Sequence, residues 1–325
     1  MKTGVAAARE DAPVAGWFSR DEAIMGTAIR VELWAEDRGA GEAAIDAVMA
    51  EMHRIDQTMS PHKPVSELSI LNRDAAQRPV PLSAEMFALV ARAVRFSQLS
   101  QGAFDITYAG VGQLFDYRAG VRPSDDEIAA ARANVGWRHL ILDEHARTLR
   151  FARAGVRIDL GGFAKGHAVD NGVAILRHLG IEHAMVSAGG DSHVLGDKRG
   201  RPWSIAIADP RRPGEVVAVL PLVDTAISTS GDYERFFERD GVRFHHIIDP
   251  ATGRSPDAVR SVTVLAADGL TTEALSKTVF VLGVERGLRI VESVPGADAV
   301  VVDAAGTLHY TSGFLDGGAP AATNR

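Results

Sequence analysis

The second half of the chain reads as a succession of short strands with few helices between them, and this limits the fold more than any other feature. Strand-like runs occur at VRIDL (156–160), HAMVSA (183–188), WSIAIA (203–208), VAVLPL (217–222) and SVTVLAA (261–267). Helical spacing interrupts them twice, after Gly162 as far as Leu179 and after Thr272 as far as Leu282. Strands that come both in tandem and between helices predict an α+β, or mixed α/β, fold rather than a doubly wound parallel sheet.

The first half supplies more helix. MGTAIRVELWA alternates as an opening strand, and Ala44, Ile45, Val48, Met49, Met52, Ile55 and Met59 then recur with the period of a long amphipathic helix. SPHKPVSELSILNR reads as a loop. Ser83 opens a second helix that buries Met86, Phe87, Val90, Val94 and, at its end, Leu99. Ser124 and Glu127 have the capping-box spacing of a third helix start. HLILDEHARTLRF reads as two short strands about a turn at Glu144–Ala146. No repeat, low-complexity linker or break in composition divides the chain. The expected organisation is a flexible N-terminal segment 1–20, one domain over 21–315 and a flexible tail 316–325.

Composition narrows the chemistry. The net charge is −7 and the basic residues are scattered, which argues against a nucleic-acid surface. There is no cysteine, so disulfides, thiolate metal sites, iron–sulfur clusters and cysteine nucleophiles are excluded. The N-terminal segment has no continuous apolar run, being interrupted by Arg9, Glu10 and Asp11. It reads as neither a membrane span nor an export signal, and the expected compartment is the cytoplasm, or the periplasm if an export signal has been removed.

Four clusters can carry chemistry. In VRIDLGGFAKGHAVDNGVAIL an apolar run leads through Asp159 and Gly161–Gly162 into a helix with Lys165 near its start, an arrangement suited to an anion. The spacing is neither that of a P-loop nor G-x-G-x-x-G, and a tight turn explains it equally well. SAGGD (187–191) brings two glycines and an acid after a strand. AISTSGDYERFF offers the hydroxyls of Ser228, Thr229 and Ser230 before a helix. RFHHIIDPATG carries His245, His246 and Asp249; neighbouring histidines on a strand face opposite ways, so one of the two can face a site. H-E-x-x-H and G-x-S-x-G are both missing.

Taken together and in this order, MGTAIRVEL, SELSILNR, GAFDITYAGVGQLF, IDLGGFAKGHAVD, SAGGD, STSGDYERFF, HHIIDPATG and TEALSKTVFVLG resemble the ApbE family of FAD:protein FMN transferases, from Met25 to about Gly283. The resemblance implies a single domain, divisible into two lobes around a flavin cleft. It also implies cleavage of FAD at its pyrophosphate, esterification of FMN to a threonine or serine of a partner flavoprotein, and release of AMP. Carried over by motif, the flavin and adenine contacts would be Met25, His62, Ala103, Phe104, Asp105, Asp159, Lys165 and Ile247. His246 would be the base for the acceptor hydroxyl, a weak nucleophile that needs one near neutral pH.

The resemblance also implies magnesium, and here the sequence departs. At the last helix the family pattern is A-D-A-L-[AS]-T-A, whose Asp and Thr reach the metal together with a backbone carbonyl at the Gly162 position. Glu273 stands in the Asp place and Lys277 in the Thr place. An ammonium group has no lone pair and repels a divalent cation. It can substitute for the ion's charge by pairing with Glu273 or by contacting the pyrophosphate, which adds Glu273 and Lys277 to the catalytic candidates. The competing reading of the pair is an ordinary i,i+4 ion pair on a helix surface. Two other functions stay open beside FMN transfer: FAD binding without transfer, as a carrier, sensor or assembly factor, and hydrolysis of FAD to FMN and AMP.

Overall fold

The computed structural model describes residues 15–316. The chain opens with two strands, β1 (Gly16–Ile24) and β2 (Thr27–Ala35), joined by Met25 and Gly26 alone. Both turn residues have positive φ, 54° and 71°, the type I′ geometry that follows the strand twist. Residues 16–20, expected in the flexible segment, are therefore strand, and the alternating MGTAIRVELWA run forms the second strand of a hairpin rather than an opening one. The expected tail lies outside the described residues except for Asp316.

Next come helices α1 (Arg38–Met59) and α2 (Glu67–Asp74), strand β3 (Val80–Pro81) and helices α3 (Ala84–Leu99), α4 (Ala109–Gly112) and α5 (Asp125–Arg132). Strands β4 (Leu140–Asp143) and β5 (Thr148–Phe151) precede helix α6 (Ala164–His178). The expected apolar residues of α1 are all buried. On α3, Met86 and Val90 are buried, Phe87 and Val94 are half-buried, and Leu99 is exposed. Helix α2 corrects the expected loop at 60–73: the Ser66 hydroxyl accepts from Ser69 N at 3.0 Å and starts a short helix. At α5 the capping box is complete, with Ser124 N and Oγ donating to Glu127 at 2.8 and 2.7 Å and Glu127 N donating back at 3.3 Å. Ser124→Ala is expected to cost about 1 kcal/mol of stability, read as a lower urea midpoint with an unchanged slope.

The remainder is mostly strand: β6 (Ala184–Ala188), β7 (Asp191–Leu195), β8 (Trp203–Ala208), β9 (Val216–Leu222), β10 (Thr225–Gly231), β11 (Phe236–Arg239), β12 (Val242–His245) and β13 (Val259–Ala266). Helices α7 (Gly269–Leu282) and α8 (Val284–Glu292), strands β14 (Asp298–Asp303) and β15 (Leu308–Tyr310) and helix α9 (Ser312–Asp316) complete the described residues. VRIDL corrects another expectation. It pairs with no strand, although Ile158 N and O are tied to the Asn72 side chain at 2.8 and 2.9 Å. Ser228–Ser230 lie within β10 and lead to another strand, not to a helix.

Among the described residues, eight strands form one antiparallel sheet in the order β1-β2-β6-β7-β10-β13-β14-β15. This is the α+β class. Helices α1, α6 and α7 lie side by side against it, over β1–β2, β6–β7 and β10–β13 respectively. The β8–β9 hairpin instead packs Trp203, Ile207, Leu220 and Leu222 with Val194 and Ile227 of the sheet. The two-residue period of β10 divides its side chains accordingly: Ser228 and Ser230 meet α7, and Ile227, on the opposite face, joins the hairpin cluster.

Helix α7 is sunk in the protein, with every residue from Gly269 to Ser276 buried. It starts before the expected Thr272, and its cap is Asp268, whose carboxylate accepts from Thr271 N at 2.9 Å. Asp170 on α6 takes the next free N–H groups, from Gly269 at 2.8 Å and Leu270 at 3.3 Å. The two helices meet at glycines. A Cβ on Gly166 would lie 2.3 Å from the Gly269 carbonyl oxygen, and one on Gly269 would lie 2.6 Å from that of Gly166. This contact sets the first turns of α6 and α7 against each other.

Candidate active site

Because of that crossing, Lys165 on α6 and Glu273 on α7 face each other across 2.7 Å. Glu273 is completely buried. Its Oε1 also receives the Lys277 ammonium at 3.4 Å, and its Oε2 accepts from Gly166 N at 2.7 Å. The anion at the start of α6 is thus the protein's own carboxylate, which satisfies one of the helix's free N–H groups. In the turn before α6, Gly161 N donates to Asp159 at 2.6 Å.

Asp191, at the start of β7, is the second carboxylate on Lys165. It is buried, and its other oxygen accepts from the Ser228 hydroxyl at 2.5 Å. A line of hydroxyls continues from there, with Ser228 and Ser276 3.3 Å apart and Ser276 and Ser230 2.9 Å apart. Burial alone would lower the Lys165 pKa, but the charges of Asp191 and Glu273 reverse this and raise it. Burial likewise opposes ionisation of Asp191, and Lys165 followed by Lys277 overcomes it and lowers its pKa. Lys165 and Asp191 therefore stand charged together, with the Glu273 and Lys277 side chains against them, in a space largely closed to water.

The Glu273–Lys277 pair is not a surface pair, since the Lys277 side chain is 20% exposed and its partner not at all. The end of Lys277 lies over the glycine turn, its Cε 3.5 Å from where a Gly162 Cβ would stand. Beyond it is His246, just past the end of β12. Its backbone N donates to the Arg235 carbonyl at 3.1 Å, while its ring Nδ1 is shut off from solvent and has no hydrogen-bond partner. Burial, and then the Lys277 charge, push the ring pKa down to about 3. The neighbouring His245 is separate: its Nε2 donates to the Pro256 carbonyl at 2.8 Å and its ring stands edge-on to Phe280. Asp249 holds the turn that follows, accepting from Ala251 N at 2.8 Å and the Thr252 hydroxyl at 2.9 Å.

The structure thus brings Gly162, Lys165, His246, Glu273 and Lys277 together. Met25 joins their periphery through the hairpin turn, where Arg235 donates to the Gly26 carbonyl at 3.3 Å. Other expected contacts sit differently. Phe104 belongs to an aromatic core with Phe96 and Phe163, and Ala103 and Ile247 are buried. Asp105 is buried and both its oxygens are taken, one by Thr107 N at 2.9 Å and the Thr107 hydroxyl at 2.6 Å, the other by Trp137 N at 2.7 Å. Its side chain holds a loop, so any ligand contact there would fall to the backbone. His62 is exposed, with only its backbone N hydrogen-bonded, to Ser60 at 3.3 Å.

Two cavities, of about 310 and 410 Å³, are lined by other residues and do not supply the expected flavin cleft. Several site residues escaped the sequence reading. Ser276 has no motif of its own. Tyr108 is held in its neutral form first by the nearby Asp159 charge and then by burial, and also feels Glu273 and Arg235. Gly112 leaves room for its ring, since a Cβ there would stand 2.9 Å from it. Among the described residues no three His, Asp or Glu side chains are grouped to hold a metal ion, and no helix is long and apolar enough to cross a membrane.

Known proteins are similar to this chain over most of its length. A family model described as the ApbE family matches residues 25–301. A FAD:protein FMN transferase of Treponema pallidum is 33% identical over 320 residues, covering 92% of this chain and 88% of that protein. One from Vibrio cholerae is 37% identical over 259 residues, covering 78% and 76%. The crystal structure of the ApbE protein of Thermotoga maritima superposes with a TM-score of 0.86 at 32% identity, covering 92% of this chain and 98% of that one.

Proposed function

The chain belongs to the ApbE family, and on that premise we propose that it transfers FMN from FAD to a threonine or serine hydroxyl of a partner flavoprotein. The observation that carries this reading is the ring of His246, whose Nδ1 is buried, unpartnered and beside the Lys277 ammonium. The acceptor oxygen forms a new bond to the FMN phosphorus as the bridging P–O bond of the pyrophosphate breaks. The hydroxyl proton passes to His246, and AMP departs with the bridging oxygen and its electron pair. At neutral pH the ring is uncharged and has a lone pair for that proton. A bound pyrophosphate offsets the Lys277 charge and makes the ring more basic, which is the direction a general base requires.

Magnesium, implied by the family pattern, does not fit the residues present. Both oxygens of Glu273 already hold cationic or N–H donors, and the neighbouring position is an ammonium. No step above passes through a metal.

The test is to incubate the purified chain with FAD and a flavoprotein domain that carries its FMN on threonine. AMP release is followed by chromatography and covalent flavin by fluorescence after denaturing electrophoresis. AMP in step with flavin on the acceptor is the expected result. FMN accumulating free, with the acceptor bare, would make the chain a FAD hydrolase; FAD recovered intact would make it a binding protein.

A further inference from the structure

We infer that Lys277 is a built-in cation for the FAD pyrophosphate, so that this enzyme holds and cleaves its substrate without a divalent metal. The inference rests on the transfer reading but depends on separate observations. The side chain of Lys277 ends between the Gly162 turn and Glu273, the two places from which the family pattern would hold a metal. Its ammonium has three donors, yet the one protein hydrogen bond it makes among the described residues is the 3.4 Å contact to Glu273. Lys165, by contrast, has two of its three donors engaged, by Asp191 and by Glu273 at 2.7 Å. The Gly162 N–H has no protein acceptor among the described residues, and the unpartnered ring of His246 feels the Lys277 charge.

The charges agree with this placement. Lys165 and Lys277 against Asp191 and Glu273 sum to zero, so the cluster does not need an anion to be neutral. Lys165 alone leaves one of the two negative charges unbalanced and Lys277 completes the neutralisation, so what Lys277 offers a pyrophosphate is its unused N–H donors beside the glycine turn rather than net charge. A pyrophosphate dianion placed there meets an ammonium and a backbone N–H, the donor types that stabilise charge developing on phosphoryl oxygens. A divalent ion at the same place would be repelled by Lys277 and would find both oxygens of Glu273 already engaged.

The experiment follows AMP release and FAD affinity, the latter by flavin fluorescence, in EDTA and in millimolar magnesium. Wild-type affinity and AMP release should not differ between the two conditions. Lys277→Met should lower AMP release by about 10²–10³-fold and weaken FAD binding in both. Lys277→Arg, which keeps the charge, should retain binding and guards against a mere packing defect, with thermal melts run on each variant. Lys277→Thr with Glu273→Asp should make FAD affinity rise with magnesium. The inference is overturned, and the transfer reading left standing, if EDTA abolishes wild-type AMP release and magnesium restores it. It is equally overturned if Lys277→Met and Lys277→Arg bind FAD alike. Affinity that is independent of magnesium and dependent on Lys277, with no AMP formed, would uphold the cation role and remove the transfer reading.

Discussion

Gly166→Ala is expected to lower stability by roughly 3 kcal/mol or more, at or beyond the upper end of ordinary overpacking. The new methyl group would stand 2.3 Å from the Gly269 carbonyl oxygen, 2.6 Å from its carbonyl carbon and 3.0 Å from Leu270 N. All three are backbone atoms, so no side chain can turn aside to make room. Alanine's better helix propensity returns only about 1 kcal/mol. Relief requires α6 and α7 to part, which lengthens the Lys165–Glu273 contact and the Gly166–Glu273 hydrogen bond together. Urea unfolding should show the loss, and fluorescence titration should show weaker FAD binding in the protein that remains folded. A variant as stable as the parent would mean that the helices do not touch here.

His246→Asn should reduce FMN transfer by about 10²–10⁴-fold, the usual contribution of a general base, while leaving FAD binding close to that of the parent. The substitution keeps the size and polarity of the side chain and removes the titratable ring. It also has a signature apart from turnover. The folded-state pKa of His246 lies near 3, below the ordinary 6.5. From 6.5 downward the unfolded chain therefore binds a proton that the folded one refuses, and stability falls as pH falls toward 3. His246→Asn should flatten this part of the stability profile, as read by thermal midpoints between pH 7 and pH 4. Unchanged transfer in the variant would remove His246 from the chemistry, whatever the melts show.

Much of this was legible in the sequence where the signal is local. The apolar period of α1, the caps at Ser83 and Ser124 and the β4–β5 hairpin depend on residues close in sequence, and each formed as expected. What failed depends on partners far away. VRIDL has the composition of a strand, but its backbone is taken by Asn72 instead of a neighbouring strand. The start of α7 lies before the expected Thr272: Asp268 is a local cap, but Gly269 is a poor helix former, and the N–H groups of Gly269 and Leu270 are satisfied by Asp170 from another helix. The site divides in the same way. Lys277 was conspicuous because it breaks a motif at a named position. Asp191 was noticed only as an acid after two glycines, and its place beside Lys165 follows from the order β6-β7-β10 in the sheet. Asp105 stands in a matching motif, yet the structure assigns its carboxylate to loop closure.

The sequence distance between Lys165 and its partner Glu273 has a consequence for how the protein comes into being. The ribosome makes α6 well before α7, and the two are separated by four of the eight strands of the sheet. Until Glu273 emerges, the start of α6 lacks the carboxylate that closes it, and Lys165 has only Asp191 to meet. A nascent chain cannot assemble this cluster piecemeal, nor can any fragment that ends before α7. The cluster is therefore complete only in a chain that includes α7, and a chain truncated before it would lack the Lys165–Glu273 contact altogether.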